Sequence, residues 1–319
     1  MVSLIIPVYS GENYIKRCLD SLLPVPSGME VIAVNDGSRD GSLDMLLEYE
    51  RNFEHFKVVN KPQNEGLPQA KKTGLEHASG DYVAFLDVDD WVDAGIYGKM
   101  ETKARASDAD MVYCDYAEEY PTRTVEVKSV FDKGQTLPLS GKDAIKYVHR
   151  RQAVFTYPWN KLYRAETLRK VEFPHGNCVG EDYYVTIRFL MLADRVDYVD
   201  EAAYHYVLTE NSMSRGGYGP NTLRAAEYYK EDYELVCSRY PEEKRGITNY
   251  LITEYMAFVV AMGRNKTYNK QLIREVKKFV RRGFFGYVLA PYVPFKMKGS
   301  AIALCISYRL LVGMYRLLN

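Results

Sequence analysis

The sequence predicts an α/β protein, a mostly parallel central sheet flanked by helices with a helical C-terminal extension, and three observations predict it. Over the N-terminal third, short apolar β-branched runs alternate with amphipathic stretches, the rhythm of βαβ units. Each apolar run closes on small or polar residues. After Pro220 the strand-like runs cease and long helical stretches take over.

In order, strands are expected near Val2 to Val8, Glu30 to Val34, Lys57 to Asn60 and Tyr82 to Leu86. Helices are expected between them, near Asn13 to Leu23, Ser42 to Tyr49 and Leu67 to Ala78, the second behind Asp40 as an N-cap. From Ala109 to about Leu208 the pattern is less regular, with breaks at Pro121, Pro138, Pro158 and Pro174, and a helix follows from Tyr183 to Leu192. Further helices are expected near Thr222 to Arg239, Lys244 to Met262 and Asn269 to Arg282, then a proline-broken aromatic stretch and a last apolar helix from Ser300 to Leu318. At 319 residues the chain exceeds what one core usually fills. The expected division is a domain over 1–218, a helical extension over 219–263 and a terminal segment over 264–319.

Composition excludes several classes. With 47% hydrophobic and 26% charged residues the chain is neither disordered nor a multi-span membrane protein. Five scattered cysteines without a C-x-x-C pair signal no disulfide framework and no zinc site, so they read as reduced thiols in the cytoplasm. Met1 runs straight into an apolar strand with no basic leader, so no signal peptide is expected. The zero net charge is unevenly spread. From Arg264 onward twelve Lys and Arg face one acid, Glu275, a net +11, which leaves −11 on the preceding residues. A basic tail on an acidic body calls for an anionic partner. On one continuous helix Lys298, Arg309 and Arg316 share a narrow face beside a wide apolar one, which fits an in-plane helix on an anionic membrane. The alternative is a helix packed on its own domain or on a second subunit; the apolar content argues against nucleic acid.

In an open α/β sheet, ligands bind beyond the carboxyl ends of the strands. Three such ends are polar here: Tyr9-Ser10-Gly11, Asn35-Asp36-Gly37-Ser38 and Asp87-Val88-Asp89-Asp90. Carboxylates crowded at Asp87, Asp89 and Asp90 repel one another, and a divalent cation relieves that repulsion. Taken alone, the cluster reads equally as a capped turn. Asp36 is placed to accept from a nucleobase N–H, or to form an Asx turn. Asn64-Glu65-Gly66 opens a helix whose Lys71 and Lys72 suit a phosphate or plain solvation.

Together with Ile5-Ile6-Pro7-Val8-Tyr9 and Gly180-Glu181-Asp182, these segments resemble family 2 glycosyltransferases of the GT-A fold over about residues 1 to 215. The resemblance implies an inverting enzyme that uses a nucleotide-sugar, usually UDP-linked, with Mg²⁺ or Mn²⁺. It places the nucleobase at Pro7, Val8, Tyr9 and Asp36, and the ribose and metal around Asp87, Val88 and Asp89, with Asp89 the leading ligand. Asn64, Gly66 and Lys71 fall at the donor loop, Lys71-Lys72 standing where many members carry Arg-Asn, which loses the bidentate fork. Glu181 and Asp182 match the family's acidic pair, with Asp182 as general base. His205, between Tyr204 and Tyr206, is either a metal ligand or buried structure; Trp159 either stacks on a sugar or packs in the core; Arg215, on an expected flexible loop after His205, is a candidate substrate-binding residue. The function expected is hexosyl transfer to a glycan or lipid-linked acceptor in cell-surface polysaccharide synthesis, at the inner face of the membrane, by a peripheral protein. A catalytically inactive nucleotide-binding relative and a sugar-1-phosphate nucleotidylyltransferase are the alternatives. The latter opens on a Gly-rich, Arg-containing loop that Tyr9-Ser10-Gly11-Glu12-Asn13 does not supply.

Overall fold

A computed structural model describes residues 1–24, 27–176, 179–208 and 219–317. The chain divides into two units. The first takes the described residues of Met1–Ile145, Thr156–Asn177 and Glu181–Glu210, and the second those of Lys146–Phe155, Cys178–Gly180 and Asn211–Asn319.

The first unit is built on β1 (Val2–Val8), β2 (Met29–Asn35), β3 (Phe56–Asn60) and β4 (Tyr82–Phe85), joined through α1 (Ile15–Asp20), α2 (Ser42–Asn52) and α3 (Leu67–His77). These strands pair in parallel in the order β3-β2-β1-β4. Every residue of β1 and β4 is buried, which explains runs that are apolar without alternation: both faces of a parallel sheet are covered. The chain starts at β1, builds outward through β2 and β3, and returns to β4 on the other side. The strand order therefore reverses at β1, where α/β folds open a ligand crevice. Register aligns the carboxyl ends Val8, Asn35 and Asn60.

Past β4 the sheet is mixed. The elements are β5 (Trp91–Val92), α4 (Ile96–Ser107), β6 (Met111–Tyr120), β7 (Arg123–Val127), α5 (Gly141–Arg150), β8 (Lys161–Arg164), α6 (Ala165–Leu168), α7 (Glu181–Leu192) and β9 (Val196–Val207). Among the described residues the sheet has nine strands in the order β3-β2-β1-β4-β8-β6-β9-β5, with β7 on β6. Here β8 is antiparallel to both β4 and β6, while β9 runs parallel to β6.

The second unit contains α8 (Pro220–Arg239), α9 (Lys244–Arg264), α10 (Lys270–Val288), α11 (Phe295–Ile306) and α12 (Tyr308–Leu317). Asn269 caps α10, its side chain accepting from the backbone N–H of Gln271 and Leu272. α12 lies so close on α9 that a Cβ at Gly263 would sit 2.4 Å from Val312 Cγ1, and Arg316 donates to the Gly263 carbonyl at 2.8 Å.

Two expectations for this unit are corrected. The helix from Asn269 does not stop at Arg282 but runs to Val288, because nothing before Pro291 breaks it. The single terminal helix from Ser300 is two helices, with Ser307 extended between them at φ −153°, ψ 137°. The shared face of Lys298, Arg309 and Arg316 disappears with that break, and the Arg316 guanidinium is turned toward α9. Among the described residues no helix is long and apolar enough to cross a membrane.

Candidate active site

Beyond β1, β2 and β3, hydrogen bonds stitch the loops together. The backbone N–H groups of Ser10 and Gly11 donate to the hydroxyls of Ser38 and Ser42. The N-cap of α2 is Gly41 and not the expected Asp40, whose carboxylate one residue earlier accepts from the Ser42 N–H at 3.2 Å and hydroxyl at 2.6 Å. Asp36, 2% exposed, accepts from the N–H of Glu65 and of Gly66 and pairs with Lys61 Nζ at 2.7 Å. Its oxygens thus already hold the Asn64–Gly66 loop, so a nucleobase there meets an occupied carboxylate. Gly37 makes this packing possible: at φ 71° a Cβ would lie 2.6 Å from the Gln63 carbonyl carbon and 2.7 Å from the Asn64 nitrogen. Pro7 and Val8 are buried at the end of β1, whereas Tyr9 is 53% exposed and free to meet a ligand.

The acidic strand end is not uniform. Asp90 is fully buried, accepting from the Tyr204 hydroxyl at 2.7 Å and the Val207 N–H at 2.8 Å, so it fixes the turn. Asp87, Val88 and Asp89 are half-buried. Burial pushes the Asp87 carboxyl up to about 7, with Asp89 and Asp182 adding repulsion against the pull of Lys71. Burial also raises Asp89. Asp87 Oδ1 is buried without a hydrogen-bond partner. An orphaned carboxylate oxygen with a second acid beside it fits a hard divalent cation. Among the described residues no group of three His, Cys, Asp or Glu is poised on a metal. A cation here would take Asp87 and Asp89 from the chain and its other oxygens from phosphate and water, the usual habit of Mg²⁺.

Lys71 joins this strand end to α7. It is 1% exposed, with Nζ 2.9 Å from Glu181 Oε1 and 3.5 Å from Asp182 Oδ1. Burial opposes its charge, but Glu181, Asp182 and Asp87 outweigh burial and raise its pKa. In the acidic pair, the Glu181 side chain is 9% exposed and raised by burial, while that of Asp182 is 35% exposed. Of the two readings for Lys71, phosphate contact or plain solvation, solvation is excluded by its burial against Glu181. The signal of that burial was in the sequence, since Ala70, Lys71, Gly74 and Leu75 form one inward stripe of α3.

Trp159 and His205 were each left with two readings, and their surroundings match the structural one. Trp159 is 3% exposed, stacked on Tyr204 at 4.2 Å and Tyr157 at 4.8 Å, and so packs in the core and offers no face to a sugar. His205 stacks on Trp91 at 3.4 Å, its Nδ1 at 2.8 Å from Glu119 and its Nε2 at 3.3 Å from Asp93. Both ring nitrogens face carboxylates, the bonding of a histidine held in the structure. Arg215 lies outside the described residues. Sequence reasoning missed Tyr204, whose hydroxyl also accepts from the Asp87 N–H at 3.3 Å and so connects the Trp159 cluster to the acidic turn.

The family described as Glycosyl transferase family 2 matches residues 3–172. A putative glycosyltransferase EpsH of Bacillus subtilis (strain 168) is 34% identical over 222 residues, 66% of this chain and 62% of that protein, so the chain spans less than two thirds of this relative. The crystal structure of S. aureus TarS 1-349 in complex with UDP-GlcNAc superposes with a TM-score of 0.65 at 20% identity, covering 100% of this chain and 92% of that one. The mannosyltransferase PcManGT from Pyrobaculum calidifontis, in complex with GDP-Man and Mn²⁺, gives 0.55 at 16% identity, covering 98% and 83%. At such identities the structures establish a shared GT-A fold.

Proposed function

Because the chain belongs to glycosyl transferase family 2, we propose that it is an inverting, metal-dependent hexosyltransferase that takes the sugar of a UDP-sugar to a glycan or lipid-linked acceptor. The product feeds cell-surface polysaccharide, and the protein works in the cytoplasm against the inner face of the membrane. The observation that carries this reading is the gathering of Asp87, Glu181 and Asp182 around the buried Lys71 at a strand end, with the Asp182 side chain 35% exposed. The TarS complex with UDP-GlcNAc supports a uridine donor.

Asp89 and Asp87 would hold Mn²⁺ or Mg²⁺. When bound, such an ion neutralises charge on the departing diphosphate. The chain's own residues do the rest. Tyr9 covers the base, and the loop pinned by Asp36 shapes the donor side. Lys71 fixes Glu181 and orients Asp182, the more open member of the pair. Asp182 takes the proton of the acceptor hydroxyl as that oxygen attacks the anomeric carbon from the face opposite the leaving group. A single displacement of this kind inverts configuration, and a carboxylate suffices as base because the hydroxyl becomes acidic late in an oxocarbenium-like transition state.

Asp182→Asn tests the assignment. Sugar transfer should fall by at least about a thousandfold while UDP and Mn²⁺ binding, read by calorimetry, stays near wild type. Full turnover by the variant refutes the base. A thermal-shift series of UDP- and GDP-sugars with and without Mn²⁺ identifies the donor by ligand-linked stability.

A further inference from the structure

The helices of the second unit carry an outer surface that their own packing does not use. The inward stripe of α10 is Leu272, Ile273, Val276, Val280 and Tyr287, all buried. At about 100° per residue, Arg274, Lys278, Arg281, Arg282, Phe285 and Leu289 fall on the opposite side within an arc of about 100°. The last turn of that outer face is apolar and bare, Phe285 being 77% and Leu289 75% exposed. α11 repeats the arrangement. Ala301, Ala303 and Leu304 are buried, while Phe295, Ile302 and Ile306, spaced by seven and four, form a narrow stripe that is 89%, 44% and 67% exposed.

Cations of α10 reach the last turn of α11. Lys277 Nζ donates to the Ile306 carbonyl at 3.4 Å and Arg281 Nη2 to the Cys305 carbonyl at 3.1 Å, so the cationic row of α10 abuts the last turn of α11. Lys277, Lys278, Arg274, Arg281 and Arg282 also line a shallow basic depression of about 480 Å³.

We propose that this surface seats the second unit in the plane of an anionic phospholipid bilayer. Phe285, Leu289, Phe295, Ile302 and Ile306 enter the interface, and the α10 cations meet lipid phosphates. The pairing of bare aromatic and aliphatic side chains with a cationic row decides the occupant. A dissolved polyanion would engage the cations and leave Phe295 and Ile306 in water. A second copy of this chain would set one basic face against another. This geometry replaces the continuous terminal helix expected from the sequence, and it rests on the proposed membrane-side acceptor only for its biological purpose.

The test is co-sedimentation of the full chain with phosphatidylglycerol-containing vesicles and with phosphatidylcholine alone. The variants are Phe285→Ser/Phe295→Ser and Arg274→Gln/Lys278→Gln, with UDP-sugar hydrolysis in vesicle-free solution and thermal unfolding measured alongside. Wild type should bind the anionic vesicles and release with salt. The Phe pair should lose at least about tenfold in partitioning at every salt concentration. The Arg/Lys pair should lose affinity at low salt and flatten the salt dependence. All should unfold at the same temperature and hydrolyse donor alike. Wild type that ignores anionic vesicles overturns the proposal, as does a Phe pair that binds like wild type, a Phe pair that instead splits an oligomer, or binding to soluble polyphosphate without binding to vesicles. If vesicle binding follows expectation while no donor is hydrolysed by any of the proteins, the docking surface stands and the glycosyltransferase reading falls.

Discussion

Replacing Lys71 with methionine removes the ammonium that stands between Asp87 and the Glu181–Asp182 pair. Methionine keeps the apolar stem as far as Cε and drops the ammonium, so the main loss is electrostatic. At an effective dielectric of about 20, a unit pair at the Lys71–Glu181 spacing interacts by roughly 6 kcal/mol. The full amount is not lost, because a carboxylate stripped of its partner can bind a proton. Asp87 already titrates at about 7 with Lys71 present. The expected destabilisation is therefore about 3–5 kcal/mol near pH 8. Adding Glu181→Gln removes one stranded charge, so the double variant should fall short of the summed single losses by about 2 kcal/mol. The pH dependence has a defined sign. A carboxyl whose folded-state pKa is raised contributes stability that is complete below its ordinary value of 3.8 and is lost as pH rises through its folded value, about 7 for Asp87. The penalty of Lys71→Met should then shrink as pH falls from 8 toward 5.5. Urea unfolding of wild type, both single variants and the double variant at the two pH values measures all of this. Additive losses, or a penalty that does not change with pH, refute the ion-pair account.

Mn²⁺ affinity, measured by calorimetry, should weaken by up to about tenfold per pH unit below 7, with proton uptake by the buffer on binding, because Asp87 must give up its proton; an affinity flat between pH 6 and 8 removes Asp87 from the metal. Gly37→Ala forces a Cβ into the Gln63–Asn64 backbone at positive φ and should cost on the order of 1–3 kcal/mol, together with weaker UDP binding; unchanged binding and unfolding show that the loop relaxes freely. Tyr204→Phe deprives Asp90 of one of its donors and should cost about 1–3 kcal/mol in unfolding free energy, and stability equal to wild type shows that the turn does not depend on that hydroxyl.

The N-terminal strands were legible because both of their faces are buried. Val2–Val8 is an apolar run bounded by polar residues, and its limits coincide with the strand. Asp87 and Asp89 were legible as a pair for the same reason, since acids directly behind a buried strand must sit at its carboxyl end, where ligands bind. What the sequence concealed was set by distant partners. Lys71 falls in the inward stripe of α3 with Ala70, Gly74 and Leu75, but its partner Glu181 lies 110 residues on, on α7, and cannot be read from α3 alone. Trp159 and His205 carry chemistry suited to a ligand, and only the neighbours Tyr157, Tyr204, Trp91 and Glu119 decide that they face inward. The mixed half of the sheet was illegible because β8 and β9 take their order from pairing with β6, not from their own residues. At the C-terminus Ser307 interrupts an apolar run with no glycine or proline beside it, so periodicity passes over the break.

The bonds from Ser10 and Gly11 to Ser38 and Ser42, and from Glu65 and Gly66 to Asp36, bind three loops from three strands into one piece. Such a piece resists tinkering by length: an insertion in any one loop unfastens its neighbours. If this is the donor site, a change of donor is left with point replacements at exposed positions such as Tyr9. Whoever redesigns donor choice should mutate side chains there, and reserve grafted loops for the far half of the sheet.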